Sequence, residues 1–488
     1  MSAKGRKRAE APATEVAAPT VVLASDRFTL YRGDHDLVDI GTVIAPESID
    51  AIVTDPPSGI EFMGKEWDSD KGGRDHWIAW LAGIMRRALV LLKPGGHALV
   101  WALPRTSHWT ATAVEDAGFE IRDVGIHLFG TGFPKSLDVS KAIDEAAGVS
   151  RGSRPDVRNG PNTNPATKGD KLNGGYAPSA IDTGPVTPEA ARFTGIGTAL
   201  KPAAEHWILA RKPLAGTVAQ NVLAFGTGGL NIDACRIGTS KDVPASAARD
   251  RIGQASKGDE RGRTMDTDGF NPAVGRWPAH VTLDEDAARA LDEQSGVLQS
   301  GSCDGGFIGD VESSVALGDK RAMIRPGLAR GDSGGASRFF YIAKPARSEK
   351  DAGLDHLPIR TGGEATDREE GSAGLNNPRA GSGRTGGVRN HHPTVKSVDL
   401  MRWLCRLITP RGGTVLDLFT GSGTTGIAAL AEGMRFIGIE RDAAFCDVAA
   451  GRLAHAACLP TPERIADDGK PVEAPRQPSL FDTLGATP

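Results

Sequence analysis

The chain has 488 residues and a formal net charge of -4, and its 62 glycines and 31 prolines leave much of it to loops. With 39% hydrophobic residues and no run of 18 apolar ones, it is expected to hold one substantial core and no membrane-spanning helix. The opening stretch MSAKGRKRAEAPATEVAAPT lacks an apolar signal core, so a cytoplasmic protein is expected. Five scattered cysteines (Cys235, Cys303, Cys405, Cys446, Cys458) form no CxxC pair, which predicts neither a disulfide framework nor a metal site. Residues 151–350 carry 26 Lys and Arg against 23 Asp and Glu, and the remainder 31 against 38. The basic surplus is central and small, so charge neither favours nor excludes a nucleic-acid partner.

Residues 1–24 read as a disordered tail whose Lys4, Arg6, Lys7 and Arg8 are solvated. Ser48–Thr54 (SIDAIVT) is an apolar run suited to a buried parallel strand. Trp77, Trp80, Leu81, Ile84, Ala88, Leu91 and Leu92 recur at helical spacing, and Lys93-Pro94-Gly95-Gly96 should end that helix. A strand over His97–Leu103, a helix near Ser107–Ala117 and a strand through Ile121, Val124, Ile126 and Leu128 follow. This alternation predicts a wound α/β sheet.

Beyond about residue 150 the rhythm stops. Gly/Ser/Asn-rich loops enclose islands at Glu205–Leu214, Gly275–Leu283 and Arg338–Ala343. Regularity returns with a helical face of Leu400, Met401, Leu404, Leu407 and Ile408. Strand Thr414–Phe419, a helix from Thr424, strand Arg435–Glu440 and helix Asp442–Ala457 complete it.

Gly421-Ser-Gly423-Thr-Thr-Gly426 is a GxGxxG between strand and helix, with Glu440 ending the next strand. Taken alone it also fits a dinucleotide-binding turn, and hence a nucleotide-dependent oxidoreductase. Only 62 residues follow Gly426, however, and the last thirty are polar and Pro-rich. The sheet must therefore draw its other strands from the N-terminal half. Asp55-Pro56-Pro57-Ser58 stands at the end of the first predicted strand there.

An Asp-Pro-Pro loop encoded before Phe419-Thr-Gly421-Ser-Gly423 resembles the S-adenosylmethionine-dependent DNA methyltransferases that modify exocyclic amino groups of adenine or cytosine. The resemblance implies a circularly permuted, mostly parallel, Rossmann-like methyltransferase sheet with a large irregular insert. It divides the chain into a catalytic half (25–150), a target-recognition insert (151–390), a cofactor half (391–457) and a disordered tail (458–488). Asp55 and the carbonyl of Pro56 would hold the target amino group, with Pro57 stiffening the loop. Asp first in the motif implies adenine N6 over cytosine N4.

On the cofactor side the resemblance implies roles for Asp417, Phe419, Gly421 and Gly423, and for Glu440 at the ribose. Gly33-Asp34 is similar to the family's GD, with Asp34 near adenine. His392-Pro393-Thr394-Val395-Lys396 is similar to its HPTxKP loop, Thr394 and Lys396 lying beside the cofactor, although Ser397 replaces the last proline. Ser58 departs from the family's stacking aromatic, which Phe62 or Trp67 would replace; if nothing does, the chain is an inactive DNA-binding relative. No cysteine follows a proline, so attack through a Pro-Cys nucleophile on cytosine carbon 5 is set aside. Double-stranded DNA is the expected partner. Gln477-Pro478-Ser479-Leu480-Phe481 resembles the peptide by which bacterial proteins dock on the replication sliding clamp.

Overall fold

The computed structural model describes residues 17–458 except 37, 62–65, 131, 133–135, 156–179, 239–269, 272–274, 300–332, 345–347, 362 and 365–386. Phe62, Cys303 and Gln477–Phe481 therefore lie outside the described residues. Two compact units are present, one formed by residues 1–130 with 204–488 and the other by residues 131–203.

The larger unit is built on ten strands: β1 (Thr20–Ala24), β2 (Phe28–Arg32), β3 (Ile49–Thr54), β4 (Leu92–Ala102), β5 (Glu120–Leu128), β6 (Ala204–Arg211), β7 (Val281–Asp284), β8 (Tyr341–Ala343), β9 (Thr414–Asp417) and β10 (Arg435–Glu440). They form one sheet in the order β1-β2-β10-β9-β3-β4-β6-β5-β7-β8. Only β1 against β2, and β6 against both β4 and β5, pair antiparallel; the other neighbours are parallel. The two ends of the sequence meet at its centre, with Val415 opposite Ala51 and Phe436 opposite Phe28. This is the expected permuted closure.

Alternation along β3 divides the core. Ile49 and Ile52 pack toward α1 (Arg74–Leu91) and α2 (Ser107–Asp116) with Trp77, Leu81, Met85 and Val114. Ala51 and Val53 face the opposite layer. That layer includes α5 (Val398–Ile408), α6 (Thr424–Ala431) and α7 (Ala443–Ala456), which supply Leu404, Ala428 and Leu453 to the core beneath β3, while α3 (Val218–Phe225) and α4 (Glu285–Ser295) also belong to the larger unit. Asp442 caps α7 by accepting from the Ala444 and Phe445 amides.

Three readings of the sequence change. The tail expected over 1–24 ends early, because the apolar run TVVLA pairs with β2 as an edge strand. α1 ends at Leu91 as expected, but the strand predicted from His97 begins at Leu92, with Lys93–Gly96 a bulge inside β4. Leu92 lies opposite Ile49 and His97 opposite Ala51, while Gly95 turns at φ +72°. The island at 205–214 is a central strand: β6, five of its residues buried, fills the gap between β4 and β5. The sheet thus reaches into the span assigned to the insert.

The smaller unit holds helix Val139–Ala146, whose fully buried Asp144 accepts from Arg151 Nε at 2.6 Å and Thr187 Oγ1 at 2.7 Å. Among the described residues no helix is long and apolar enough to cross a membrane.

Candidate active site

Parallel pairing brings the C-terminal ends of β3, β9 and β10 to one rim. Antiparallel β6 begins there, opposite the end of β5. Thr54 joins the two halves of the sequence at this rim. Its hydroxyl donates to Asp417 Oδ1 at 2.7 Å and accepts from the Leu418 amide at 3.1 Å.

Asp55 follows directly. Lys396 Nζ lies 3.3 Å from Asp55 Oδ2 and 3.5 Å from Glu205 Oε1, 4.0 Å above the Trp101 ring. The Lys396 side chain is only 13% exposed, so two carboxylates and an indole face enclose one ammonium. Burial pushes Asp55 up to about 6; Lys396 opposes this, while Glu205 and Asp417 add to it. Burial also works against the Lys396 charge, yet Asp55 and Glu205 together hold its pKa above the ordinary value. The resemblance that set Lys396 beside the cofactor gave no sign of these two acid partners.

The glycine loop turns at Gly421 (φ +52°), whose amide donates to Glu440 Oε2 at 2.7 Å; the Asp442 amide donates to Oε1 at 2.8 Å. A side chain at Gly421 would meet His392 Nε2 at 2.6 Å. Gly423 (φ +78°) opens α6, and its missing side chain would press on the Ala449 backbone at 3.2 Å. Helix packing and backbone conformation thus account for Gly423 without any ligand contact. His392 packs edge-on against Phe445 at 4.5 Å, and the Thr394 amide donates to His392 Nδ1 at 3.3 Å. Behind the loop the buried Arg452 donates to the Ser422 carbonyl at 2.6 Å and to Thr424 Oγ1 at 3.0 Å.

Phe419 lies between His35 (5.2 Å) and Trp80 (5.8 Å), and the Trp80 indole donates to Asp36 Oδ1 at 2.8 Å. Asp34 joins this corner through Arg441 at 3.4 Å, beside the Gly33 amide that donates to the Glu440 carbonyl at 2.9 Å. Burial pushes Asp417 up to about 6 and Glu440 up to about 7.

Ser58 stands where the resemblance expects an aromatic, and Asp68 fixes it. The fully buried Asp68 carboxylate accepts from the Ser58 amide, from Ser58 Oγ at 3.0 and 3.1 Å, and from the Gly59 amide at 3.0 Å. Thr106 Oγ1 donates to the Ser58 carbonyl at 3.0 Å, and Gly59 (φ +70°) lies against Trp77. Trp67 is partly buried on the turn Glu66–Asp68.

Asp34, Asp55, Ser58, Lys396, Asp417, Phe419, Gly421 and Glu440 thus share one rim. Sequence reasoning missed Asp68, Trp101, Glu205 and the Trp80–His35 pair. The one available signal was Glu205 opening an apolar run that could only be a strand.

The glycine-cornered turn is flanked by acids at two adjacent strand ends and lies next to the Asp-Pro-Pro carboxylate, at the strand-end rim where α/β folds place ligands. The bends that demand glycine and the desolvated acceptor at Glu440 fit a nucleoside-type cofactor.

Residues 362–451 match the family model N6_N4_Mtase, described as DNA methylase. The match contains the glycine loop and Glu440, on which the oxidoreductase reading rested. The type II methyltransferase M.BglI of Bacillus subtilis is 59% identical over 39 residues, 8% of this chain and 11% of that protein. The type II methyltransferase M2.DpnII of Streptococcus pneumoniae is 42% identical over 62 residues, 13% and 23% of the two chains. The chain thus matches these relatives over less than a quarter of their length. Among solved structures, the cytosine-N4-specific PvuII DNA methyltransferase is 11% identical with a TM-score of 0.37, covering 89% of this chain and 88% of that one. An M1.HpyAVI–SAM complex is 15% identical with a TM-score of 0.33, covering 87% and 98%.

Proposed function

We propose that this chain transfers the methyl group of S-adenosylmethionine to an exocyclic amino group of a base in double-stranded DNA, adenine N6 rather than cytosine N4. The observation that carries this reading is the position of Asp55. It is an ionisable carboxylate one strand away from the glycine cradle, with Lys396 on one oxygen. Its place as the first residue of the Asp-Pro-Pro motif supports adenine.

The cofactor, when bound, supplies an electrophilic methyl group on a sulfonium. Glu440 would hold its ribose hydroxyls, Phe419 and Trp80 would wall its base, and Asp417 would support the loop from below. A base amino nitrogen is a poor nucleophile because its lone pair is delocalised into the ring. Asp55 Oδ1 and the Pro56 carbonyl would accept its two hydrogens and return lone-pair character. Direct attack by the nitrogen would form the N–methyl bond as the methyl–sulfur bond breaks, S-adenosylhomocysteine would leave, and the surplus amino proton would pass to Asp55 and then to solvent. No cysteine nucleophile is required, and the four free cysteines among the described residues include three buried ones.

Expression in a bacterial host free of DNA methylation, followed by modification-sensitive sequencing, tests the reading. N6-methyladenine at a defined sequence is the expected result, and N4-methylcytosine would correct the base. Unmodified DNA from a protein that still binds S-adenosylhomocysteine would make the chain an inactive relative.

A further inference from the structure

Glu205 matches no motif, yet it belongs to the site. It enters on β6, whose antiparallel course puts its first residues at the rim where the parallel strands end. There Glu205 lies opposite His127. Lys396 spans from it to Asp55, with Nζ 3.5 Å from one carboxylate and 3.3 Å from the other. An exposed pair at such distances contributes little, but these three side chains are 13%, 23% and 25% exposed. A partly buried lysine with one carboxylate would pair with it alone. With two, it is held between them, on Asp55 Oδ2. Among the described residues Asp55 Oδ1 has no hydrogen-bond donor.

We propose that Glu205 is a positioning residue for the transfer: it tethers Lys396 across Asp55, so that Oδ2 is occupied and Oδ1 is left for the target amino group. This rests on the methyl-transfer reading. The charged groups facing Asp55 are Lys396 from the loop before α5, Glu205 from β6 and Asp417 from β9; His127 on β5 faces Glu205 and Lys396.

The test compares Glu205→Ala with Glu205→Gln in the full chain. The alanine variant removes a carboxylate that raises the Asp55 pKa and leaves Lys396 to pair with Asp55 alone, free to cover either oxygen, so Asp55 gives up its proton at lower pH. Single-turnover transfer should fall roughly tenfold to a hundredfold, as when reacting groups lose their alignment. Its acid limb should move to lower pH, with S-adenosylhomocysteine affinity unchanged. The glutamine variant keeps an oxygen for Lys396 and should retain most of the rate. Equal losses in both variants, or an acid limb unmoved in the alanine variant, would overturn the tether.

Acylation of Lys396 by acetic anhydride at pH 8, read by mass spectrometry, needs no methyl transfer. Glu205→Ala should speed it several-fold, because the ammonium loses a carboxylate that stabilises it; an unchanged rate would also overturn the proposal. A wild-type protein that transfers no methyl group defeats the functional reading instead, and the labelling still decides the tether.

Discussion

On the proposed reading Asp55 carries the chemistry, and its environment sets a pH dependence. Burial raises its pKa to about 6. Below that pH it is protonated, accepts only weakly from the target amino group and cannot take up its proton, so transfer should fall as pH drops through about 6. Asp55→Ala should lower the transfer rate by about a hundred- to thousand-fold, the usual effect of losing a transition-state hydrogen-bond partner. Affinity for S-adenosylhomocysteine should stay within a few-fold, because the proposal assigns the carboxylate to the base and not to the cofactor; near-normal transfer would remove the assignment. Ser58 provides a second test. The motif alone suggests that a tyrosine would be welcome there, whereas the structure argues the reverse. Ser58 Oγ donates to both oxygens of Asp68, which also holds the Ser58 and Gly59 amides. Ser58→Tyr should therefore reduce both transfer and thermal stability. Asp68→Ala should cost about 1–3 kcal/mol for each buried amide left without an acceptor. Denaturant unfolding measures that cost, and a wild-type midpoint in Asp68→Ala would show that the loop does not depend on the clasp. The clasp was illegible in the sequence because its acceptor lies ten residues beyond the serine, in a turn with no motif of its own.

The glycine loop and the two strands beneath it form the element most readable from sequence. β10 occupies the predicted Arg435–Glu440, and α6 begins at the predicted Thr424. Short apolar strands joined by tight glycine turns leave few other arrangements for the chain. β6 was harder to place because its partners β4 and β5 are encoded about eighty or more residues earlier, and pairing leaves no local periodicity. The bulge in β4 was also hidden. A Lys-Pro-Gly-Gly run reads as a helix stop, yet the Lys93 ammonium reaches Asp50 at 2.6 Å and the backbone stays in the sheet. For the loop itself, Gly423→Ala should weaken S-adenosylhomocysteine binding indirectly. A left-handed alanine costs about 1–2 kcal/mol, and its methyl group would push α6 from Ala449. Glu440→Ala should weaken binding more directly, by roughly 1.5–3 kcal/mol for charge-assisted hydrogen bonds, besides freeing the Gly421 amide. Calorimetric titration reads both; unchanged affinity in both variants would move the cofactor elsewhere.

For the whole molecule, the permuted sheet concentrates acids where the two halves of the sequence join. Asp55, Asp417 and Glu440 end neighbouring strands, and burial raises the pKa of all three. Among the sheet strands the matched segment covers only β9 and β10, and the N-terminal strands are placed beside them by the pairing of β3 with β9. Such a cluster favours function at the expense of the free protein's stability. Asp417 shows the sign most clearly, since Thr54 Oγ1 and the Phe419 amide donate to its Oδ1, an oxygen that asparagine keeps. Its folded pKa of about 6 exceeds the ordinary 3.8, so the native state binds the proton more tightly than the unfolded chain. The stability this confers is complete below the ordinary value and is lost as pH rises through about 6. Asparagine mimics the protonated acid and should escape that loss. Differential scanning calorimetry of the ligand-free protein should therefore find Asp417→Asn melting above wild type at pH 7.5. At pH 4.5, where wild-type Asp417 is largely protonated in the native state, the gap should close. A gap independent of pH, or one of opposite sign at pH 7.5, would show that Asp417 is ionised at no cost and that the rim is not the frustrated acidic cluster inferred here.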